Sequence, residues 1–284
     1  MDKNIVIVHY NTPKLTECLV KSINKFVDGA KIFIFDNSNK SPFTAKFDNV
    51  TVYDNTKGQI IDFDEWLKKY PNRSRSGGRA NMFGSAKHAY SVEKCMELID
   101  APFVLLDSDV LLKRDISNLF IEDCVYIGED VLQPSSTIRR VLPFICFINT
   151  DMCKEHDVHY FDDNMMHGLM KTAKADRYDT GAALYTLAKN LKSVKIPTKE
   201  YVEHYGHGSW KKKGDKNPMT QSEWLEANAY LWSDKEGKKP EQKQGNKKNE
   251  VKPKPIIRPI KRIKSIASKR KGVGFPSGYD LYFY

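Results

Sequence analysis

The sequence has few cysteines and no long apolar run, and both absences exclude classes of protein. Its five cysteines are odd in number and form no Cys-x-x-Cys pair, so neither a disulfide framework nor a zinc ribbon is indicated. No apolar run approaches the roughly 20 residues that a transmembrane helix needs. The amino terminus lacks the regions of a secretory signal. We therefore expect a cytoplasmic protein whose cysteines are reduced and buried.

The formal net charge of +10 is concentrated at one end of the chain. Residues 235–284 hold 15 Lys and Arg against 4 Asp and Glu, which leaves residues 1–234 with a net charge of −1. Residues 235–255 have almost no apolar side chains, which predicts a disordered basic linker over residues 233–258. In residues 259–284, isoleucines recur among basic residues before an aromatic end. This pattern predicts a basic amphipathic helix and tail suited to an anionic membrane surface.

Two other interpretations of this tail stay open. Lys-rich segments also bind nucleic acid nonspecifically, although the isoleucine spacing favours a membrane and we expect no nucleic-acid partner. A solvated tail, or one that folds back onto the rest of the chain, has nearly equal weight.

Residues 1–232 alternate apolar strands with amphipathic helices, which predicts one α/β domain whose buried strands are typical of a parallel sheet. Thr12 is expected to cap a helix that Gly29 ends, and Asp179 to cap another. Residues 70–84 are expected to form a long loop. The predicted strands cover residues 4–10, 31–35, 50–53, 102–106, 124–127 and 144–148. The predicted helices cover residues 13–26, 60–66, 85–99 and 179–191, with a short one from Ser117.

A pair of aspartates follows the apolar strand that ends at Leu106. Asp107 and Asp109 lie one residue apart, at the carboxyl end of a strand with no polar alternation. Buried carboxylates are costly unless something neutralises them. A divalent cation is a suitable partner, because hard cations take oxygen ligands. Asp-x-Asp is also a common tripeptide that can simply cap a turn.

Four segments of the chain carry polar or glycine residues near predicted strand ends. They are Ile5-Val-Ile-Val-His-Tyr-Asn-Thr12, Phe35-Asp36-Asn37-Ser38, Leu105-Leu-Asp107-Ser-Asp109-Val110 and His204-Tyr-Gly-His-Gly-Ser-Trp210. Their order and placement resemble those of the GT-A glycosyltransferases, over about residues 4–210, and are most similar to the inverting family 2 group. The resemblance implies a Rossmann-like α/β fold with a mixed, mostly parallel sheet flanked by helices. Residues 109–120 and the His-Tyr-Gly stretch are also similar to the retaining family 8 enzymes, whose Lys-Pro-Trp after the histidine is absent here.

The resemblance implies a donor site. Tyr10, Asn11 and Asp36 would hold the nucleotide base and ribose, although Asn11 and Asp36 are equally typical of turns and caps. His88 would approach the donor sugar, and Ser108 would line the same site. A lone helical histidine is more often structural.

The resemblance also implies a Mn²⁺ or Mg²⁺ site. Asp109 would bind the metal directly, and Asp107 would reach the ribose, a metal-bound water or the metal. His204 or His207 would complete the site, with His204 preferred.

Asp179 fits best as the catalytic base of an inverting enzyme, although a carboxylate there can also simply cap a helix. Its rivals are Glu129, Asp130, Asp162 and Asp163. The neighbouring Arg139 and Arg140 could pair with phosphate or be solvated.

The predicted function is metal-dependent sugar transfer from a nucleotide-sugar, with UDP-sugars favoured, to a glycan or lipid-linked glycan. The resemblance implies bacterial surface polysaccharide synthesis in the cytoplasm or at the inner face of the membrane. A nucleotidyltransferase is one alternative, disfavoured because residues 10–13 replace its phosphate loop. A non-catalytic binding module is the other, and it predicts that the aspartates and histidines are scattered.

Overall fold

The computed structural model describes residues 1–69, 81–133, 138–162, 179–206 and 219–233. The chain divides into residues 1–241 and 242–284. The predicted linker and tail lie outside the described residues from 234 onward, so their boundaries stay predictions. Within the described ranges, no helix is long and apolar enough to cross a membrane.

A seven-stranded sheet forms the centre of the molecule, in the order β3-β2-β1-β4-β7-β6-β8. Strand β7 runs antiparallel to both neighbours, and the other adjacent pairs are parallel. This confirms the predicted mixed, mostly parallel α/β fold. The strands are β1 Asn4–His9, β2 Lys31–Asp36, β3 Val50–Asp54, β4 Phe103–Asp107, β6 Tyr126–Leu132, β7 Arg139–Ile148 and β8 Ser193–Lys195. A second, two-stranded sheet pairs β5 Val110–Leu112 with β9 Val202–His204.

Seven α-helices lie among the described residues. They are α1 Pro13–Phe26, α2 Phe63–Lys69, α3 Asn81–Ile99, α4 Thr150–Glu155, α5 Ala182–Ala188, α6 Thr198–Tyr201 and α7 Gln221–Ala227. Single 3₁₀ turns cover Ser117–Leu119 and Ala229–Leu231.

Helix ends differ from the sequence-based expectation at several places. Thr12 occupies the cap position of α1, but its side chain makes no cap hydrogen bond. Helix α1 ends at Phe26, and Gly29 adopts a left-handed conformation (φ 70°) in the turn that follows. Helix α5 begins three residues later than expected, after Gly181, so Asp179 is not its cap. Helix α2 covers Phe63–Lys69 instead of the expected residues 60–66. The Asp62 side chain precedes it and accepts hydrogen bonds from the N–H groups of Asp64 and Glu65 in the first turn of the helix.

The core explains why the strand sequences lack polar alternation. β1 is buried along its whole length, and β4 is buried from Phe103 to Leu106. Val6 and Leu105 face one apolar layer with α3, and Ile7 and Leu106 face the other with α1. Each such side chain contributes about 1.5–3 kcal/mol through its burial. All five cysteines are buried and unpaired, as predicted.

The sheet brings four strand ends to one edge. The carboxyl ends of β2, β1 and β4 adjoin, since His9 aligns with Asp36 and Val8 aligns with Asp107. Because β7 is antiparallel, its amino-terminal half reaches this edge too. Leu106 aligns with Ile145, so the residues of β7 before Ile145 continue beyond the end of β4. Ligand sites of α/β proteins lie at such an edge.

Candidate active site

The two predicted aspartates lie in a tight turn between β4 and β5. Asp109 is buried, with 6% of its surface exposed, and Asp107 is half-buried. The Ser108 N–H donates to Asp107 Oδ1 at 2.9 Å, and Ser108 itself is buried. The turn-capping interpretation therefore accounts for one oxygen of Asp107. It does not account for the burial of a second carboxylate two residues later.

Strand β9 places His204 against the aspartates. His204 aligns with Val110 across the small sheet, and its Nε2 lies 3.2 Å from Asp109 Oδ1. The Tyr205 N–H donates to the Asp109 carbonyl oxygen at 2.9 Å, which fixes the approach of the two chains. The Phe144 ring covers the imidazole, with centroids 3.9 Å apart. Of the two predicted histidines, His204 thus faces the carboxylates, and His207 lies outside the described residues.

The electrostatics of this cluster reflect two negative charges in little water. Burial first, and the charge of Asp109 second, raise the pKa of Asp107 to about 7. The charges of His204 and Arg140 oppose this rise. Burial lowers the pKa of His204, but the hydrogen bond and charge of Asp109 outweigh it, so the net pKa is raised. An added cation would stabilise both carboxylates in their charged form.

The donor set suits a hard divalent cation in chemistry. Two carboxylates and an imidazole are ligands that Mn²⁺ accepts, and Mg²⁺ prefers the oxygens. Within the described ranges, however, no three His, Cys, Asp or Glu side chains are grouped so that they could hold a metal ion. The structure thus brings Asp109 and His204 into contact beside Asp107. Metal binding by these residues stays a prediction.

His88 extends from α3 toward the same region. Its Nδ1 lies 2.8 Å from Thr180 Oγ1, which in turn donates to the Tyr160 hydroxyl at 3.3 Å. Because Thr180 gives its one hydrogen to Tyr160, we assign the imidazole proton to Nδ1. The Nε2 atom is buried and has no hydrogen-bond partner within the part of the chain that the structure describes. Burial lowers the pKa of His88 to about 4, so this nitrogen is a neutral acceptor at pH 7.

Asp179 forms an ion pair instead of the expected helix cap. Its Oδ2 accepts from Arg140 Nη1 at 2.6 Å, and its Oδ1 accepts from the Thr180 N–H at 2.8 Å. The cap position of α5 belongs to Gly181, whose φ of 80° is left-handed. Both oxygens of Asp179 thus have partners, and a base at this position would first have to release Arg140.

Two rival bases are engaged elsewhere. Glu129 accepts from the Thr198 N–H at 2.9 Å. Asp130 pairs with Arg139 and lies 3.4 Å from Lys195. The other two predicted rivals are Asp162 and Asp163. Asp162 is the last described residue before a gap and Asp163 lies inside that gap, so their role as a base stays a prediction.

The predicted nucleotide side is adjacent to the aspartates, but its polar groups organise a loop. Asp36 is 1% exposed, and its two oxygens accept from the N–H groups of Ser38 and Phe43 at 2.8 and 2.7 Å. Asn11 has a φ of 55°, and its Oδ1 accepts from the N–H groups of residues 40 and 41. Tyr10 is 37% exposed at this edge. Nucleotide contacts by the three residues stay predictions.

Sequence reasoning did not identify Thr180 and Tyr160 as neighbours of the site. No local pattern marks them, since they lie 20 residues apart and meet through a direct hydrogen bond between their hydroxyl groups. Arg140 was noted as a candidate phosphate partner but not distinguished from Arg139. The strand predicted over residues 144–148 includes neither arginine, whereas β7 begins at Arg139, so only the observed strand shows that their side chains point in opposite directions.

No protein-family model matches the sequence, and no curated protein is significantly similar to it. The structure is similar to solved structures of glycosyltransferases. A galactosyltransferase, LgtC, solved with donor and acceptor sugar analogs, is 11% identical, with 69% of this chain and 74% of that chain covered and a TM-score of 0.45. Glycosyltransferase GlyE of Streptococcus pneumoniae is 12% identical over 69% and 45% of the chains, at a TM-score of 0.39. Mouse xyloside xylosyltransferase 1 is 10% identical over 69% and 84%, at a TM-score of 0.43. This chain thus spans under half of GlyE.

Proposed function

We propose that this protein is a metal-dependent glycosyltransferase of the GT-A class. It would move a sugar from a nucleotide-sugar to a glycan or lipid-linked glycan. The observation that carries the proposal is the contact of Asp109 with His204 beside Asp107, at the carboxyl edge of β4. A separate neutral acceptor, His88, and the ion pair of Arg140 with Asp179 border the same group. This set supplies groups for a cation, a phosphate and a sugar hydroxyl.

The chemistry of sugar transfer explains why each group would be useful. The leaving group is a nucleoside diphosphate, and a divalent cation held by Asp109 and His204, with Asp107 beside them, would supply the charge that neutralises it. His88 Nε2 would accept a hydrogen bond from a hydroxyl of the donor sugar. Asp179 would take the proton of the acceptor hydroxyl in an inverting reaction, which is the outcome we propose.

The alternative of a non-catalytic module is disfavoured by the geometry. That hypothesis predicts scattered aspartates and histidines, whereas Asp109 Oδ1 and His204 Nε2 are 3.2 Å apart. Burying two carboxylates without use would destabilise the fold.

A thermal-shift experiment tests the proposal. Mn²⁺ with a nucleoside diphosphate at about 100 times its dissociation constant would stabilise the wild type by about 2.7 kcal/mol. For a chain of this size, that raises the melting temperature by about 5–11 °C. Asp109→Asn should abolish the shift. Asp54→Asn is the matched control, because Asp54 is an exposed strand-end aspartate whose side chain accepts hydrogen bonds from Thr56 in the adjoining turn.

The possible outcomes separate the parts of the proposal. A full shift in Asp109→Asn refutes the metal assignment. The absence of a shift in the wild type with every nucleoside diphosphate refutes the function. A panel of nucleotide-sugars tested for metal-dependent hydrolysis, with UDP-sugars first, would then identify the donor.

The cellular setting is a further part of the proposal, and its support is the sequence of residues 235–284. We propose that this basic tail holds the enzyme at the anionic inner face of a bacterial membrane, where surface polysaccharide is made. Sedimentation of the whole chain with anionic and with neutral liposomes tests this. Binding to neither type of liposome would refute it.

A further inference from the structure

Two consecutive arginines on β7 have different surroundings. Arg139 directs its fork at Asp130: Nε donates to Oδ2 at 2.8 Å, and Nη2 donates to the same carboxylate and to the Asp130 carbonyl oxygen. Its guanidinium also lies over the Tyr185 ring, 5.8 Å from the centroid. Arg139 is therefore held by Asp130 and Tyr185 in a structural role where β6 pairs with β7.

Arg140 makes one such contact within the part of the chain that the structure describes. Among the described residues, Nη1 donates to Asp179 Oδ2 at 2.6 Å, and no hydrogen bond joins the other guanidinium nitrogens to a described partner. The side chain is partly buried, with 20% of its surface exposed. A guanidinium has five N–H donors in a planar fork that matches phosphate. Most of this donor capacity is thus available to a ligand.

The charge of Arg140 acts on the centre of the site. Arg140 lies close enough to His88 for its positive charge to oppose protonation of that ring and so to lower the pKa of His88. The strand explains this placement, because the antiparallel β7 carries its residues before Ile145 past the end of β4. The cation consequently lies beside the edge where the leaving group would be.

We propose that Arg140 binds phosphate oxygens of the nucleotide-sugar, and that Asp179 holds the guanidinium in place until the donor arrives. This inference rests on the proposed function and adds a specific ligand for the diphosphate. Donor binding would transfer the guanidinium from Asp179 to phosphate and leave the carboxylate able to accept a proton.

The exchange fits the balance of an inverting transfer. The acceptor oxygen forms a bond to the anomeric carbon while the bond from that carbon to the diphosphate oxygen breaks. The proton of the acceptor hydroxyl passes to Asp179, and the electron pair leaves on the diphosphate beside Arg140. One ion pair would thus couple donor binding to the availability of the base.

Calorimetric titration of nucleoside diphosphate in the presence of Mn²⁺ tests the inference. Arg140→Gln should weaken binding about tenfold to a hundredfold, as expected for the loss of charge-assisted hydrogen bonds. Arg140→Lys should restore part of the affinity, because it keeps the charge but not the fork. Arg139→Gln is the matched control on the neighbouring residue and should bind within about twofold of the wild type.

Asp179→Asn provides a second readout. Because Asp179 pairs with the guanidinium before the donor arrives, its neutral variant competes less with phosphate and should bind nucleoside diphosphate at least as tightly as the wild type. Sugar transfer should nevertheless be lost, with the change in kcat rather than in KM.

Several results would overturn the inference. The inference is wrong if the wild type and Arg140→Gln bind nucleoside diphosphate with equal affinity. It is also wrong if Arg140→Gln binds Mn²⁺ more tightly, because Arg140 would then act only as a counter-ion of the aspartates. Weakened binding in Asp179→Asn, equal to that in Arg140→Gln, contradicts the exchange. If the wild type binds no nucleoside diphosphate at all, the proposed function itself fails. If Arg140→Gln does not fold, Arg140→Lys is the deciding variant. Unchanged affinity of Arg140→Lys for nucleoside diphosphate would exclude binding of phosphate by the planar set of guanidinium N–H donors.

Discussion

Gly181 links the fold to the site, and its replacement by alanine should be costly. A Cβ built there lies 2.1 Å from the Val141 carbonyl oxygen, where ordinary contacts begin at 3.4 Å. The backbone would have to separate from β7 and would strain the 3.1 Å hydrogen bond from the Val141 N–H to the Gly181 carbonyl oxygen. The same movement would draw Asp179, two residues earlier, away from Arg140.

The expected cost has two parts. Gly181 has a φ of 80°, a left-handed conformation that costs a residue with a Cβ about 1–2 kcal/mol. Forcing a methyl group into a filled space costs about 1–3 kcal/mol more. We therefore expect Gly181→Ala to lower the free energy of unfolding by about 2–5 kcal/mol, a large fraction of the about 5–15 kcal/mol typical of a protein.

Two other glycines separate these contributions. Gly29 has a φ of 70°, but no atom of the described residues lies within 4 Å of its added Cβ, so Gly29→Ala should cost only the conformational part. A Cβ added at Gly84 in α3 likewise meets no described atom within 4 Å, so Gly84→Ala should stabilise the protein by about 0.5–1 kcal/mol. Urea unfolding, followed by tryptophan fluorescence, measures all three.

The comparison with Gly29 decides the test. If Gly181→Ala costs no more than Gly29→Ala, the close approach of residue 181 to β7 is wrong. The contact of Gly181 with β7 could then not be the reason that Asp179 lies beside Arg140.

Two histidines should give opposite pH dependences. Burial lowers the pKa of His88 to about 4, so the unfolded chain takes up this proton first and stability falls as pH drops from about 6.5 toward 4. NMR should show the ring neutral at pH 5.5, and a titration near 6.5 would contradict its burial. The hydrogen bond that the His159 ring donates to Glu93 raises the pKa of His159, so its contribution is complete below about pH 6.5 and is lost as pH rises through the folded value. The stability difference between wild type and His159→Gln should shrink above that value, and a constant difference would refute the pairing.

The sequence by itself determined the parts of the protein that depend on local pattern. Unbroken apolar runs identified β1 and β4 as strands buried on both faces, because a covered sheet leaves no position for a polar residue. The same runs located Asp107 and Asp109 at a strand end, where a carboxylate needs a partner. The cysteines were correctly predicted as buried thiols from their apolar neighbours.

Helix boundaries were predicted less well, because competing local signals are nearly equal in energy. A carboxylate at Asp179 is a good cap, at about 1 kcal/mol. The charge of Arg140 and the close contact of Gly181 with β7 override that preference, and neither partner is near in sequence.

Only the tertiary structure decided which side chains meet. Because β7 runs antiparallel to β4, its pairing register carries its first residues past the end of β4. Alternate side chains of β7 face opposite ways, which places Arg140 rather than Arg139 beside the site. The pairing of β5 with β9 brings His204 to Asp109 across 95 positions of chain. Contacts of this range depend on register and strand order, which residue patterns constrain weakly. The carboxylates of the site were thus visible in the sequence, whereas their partners were set by the fold.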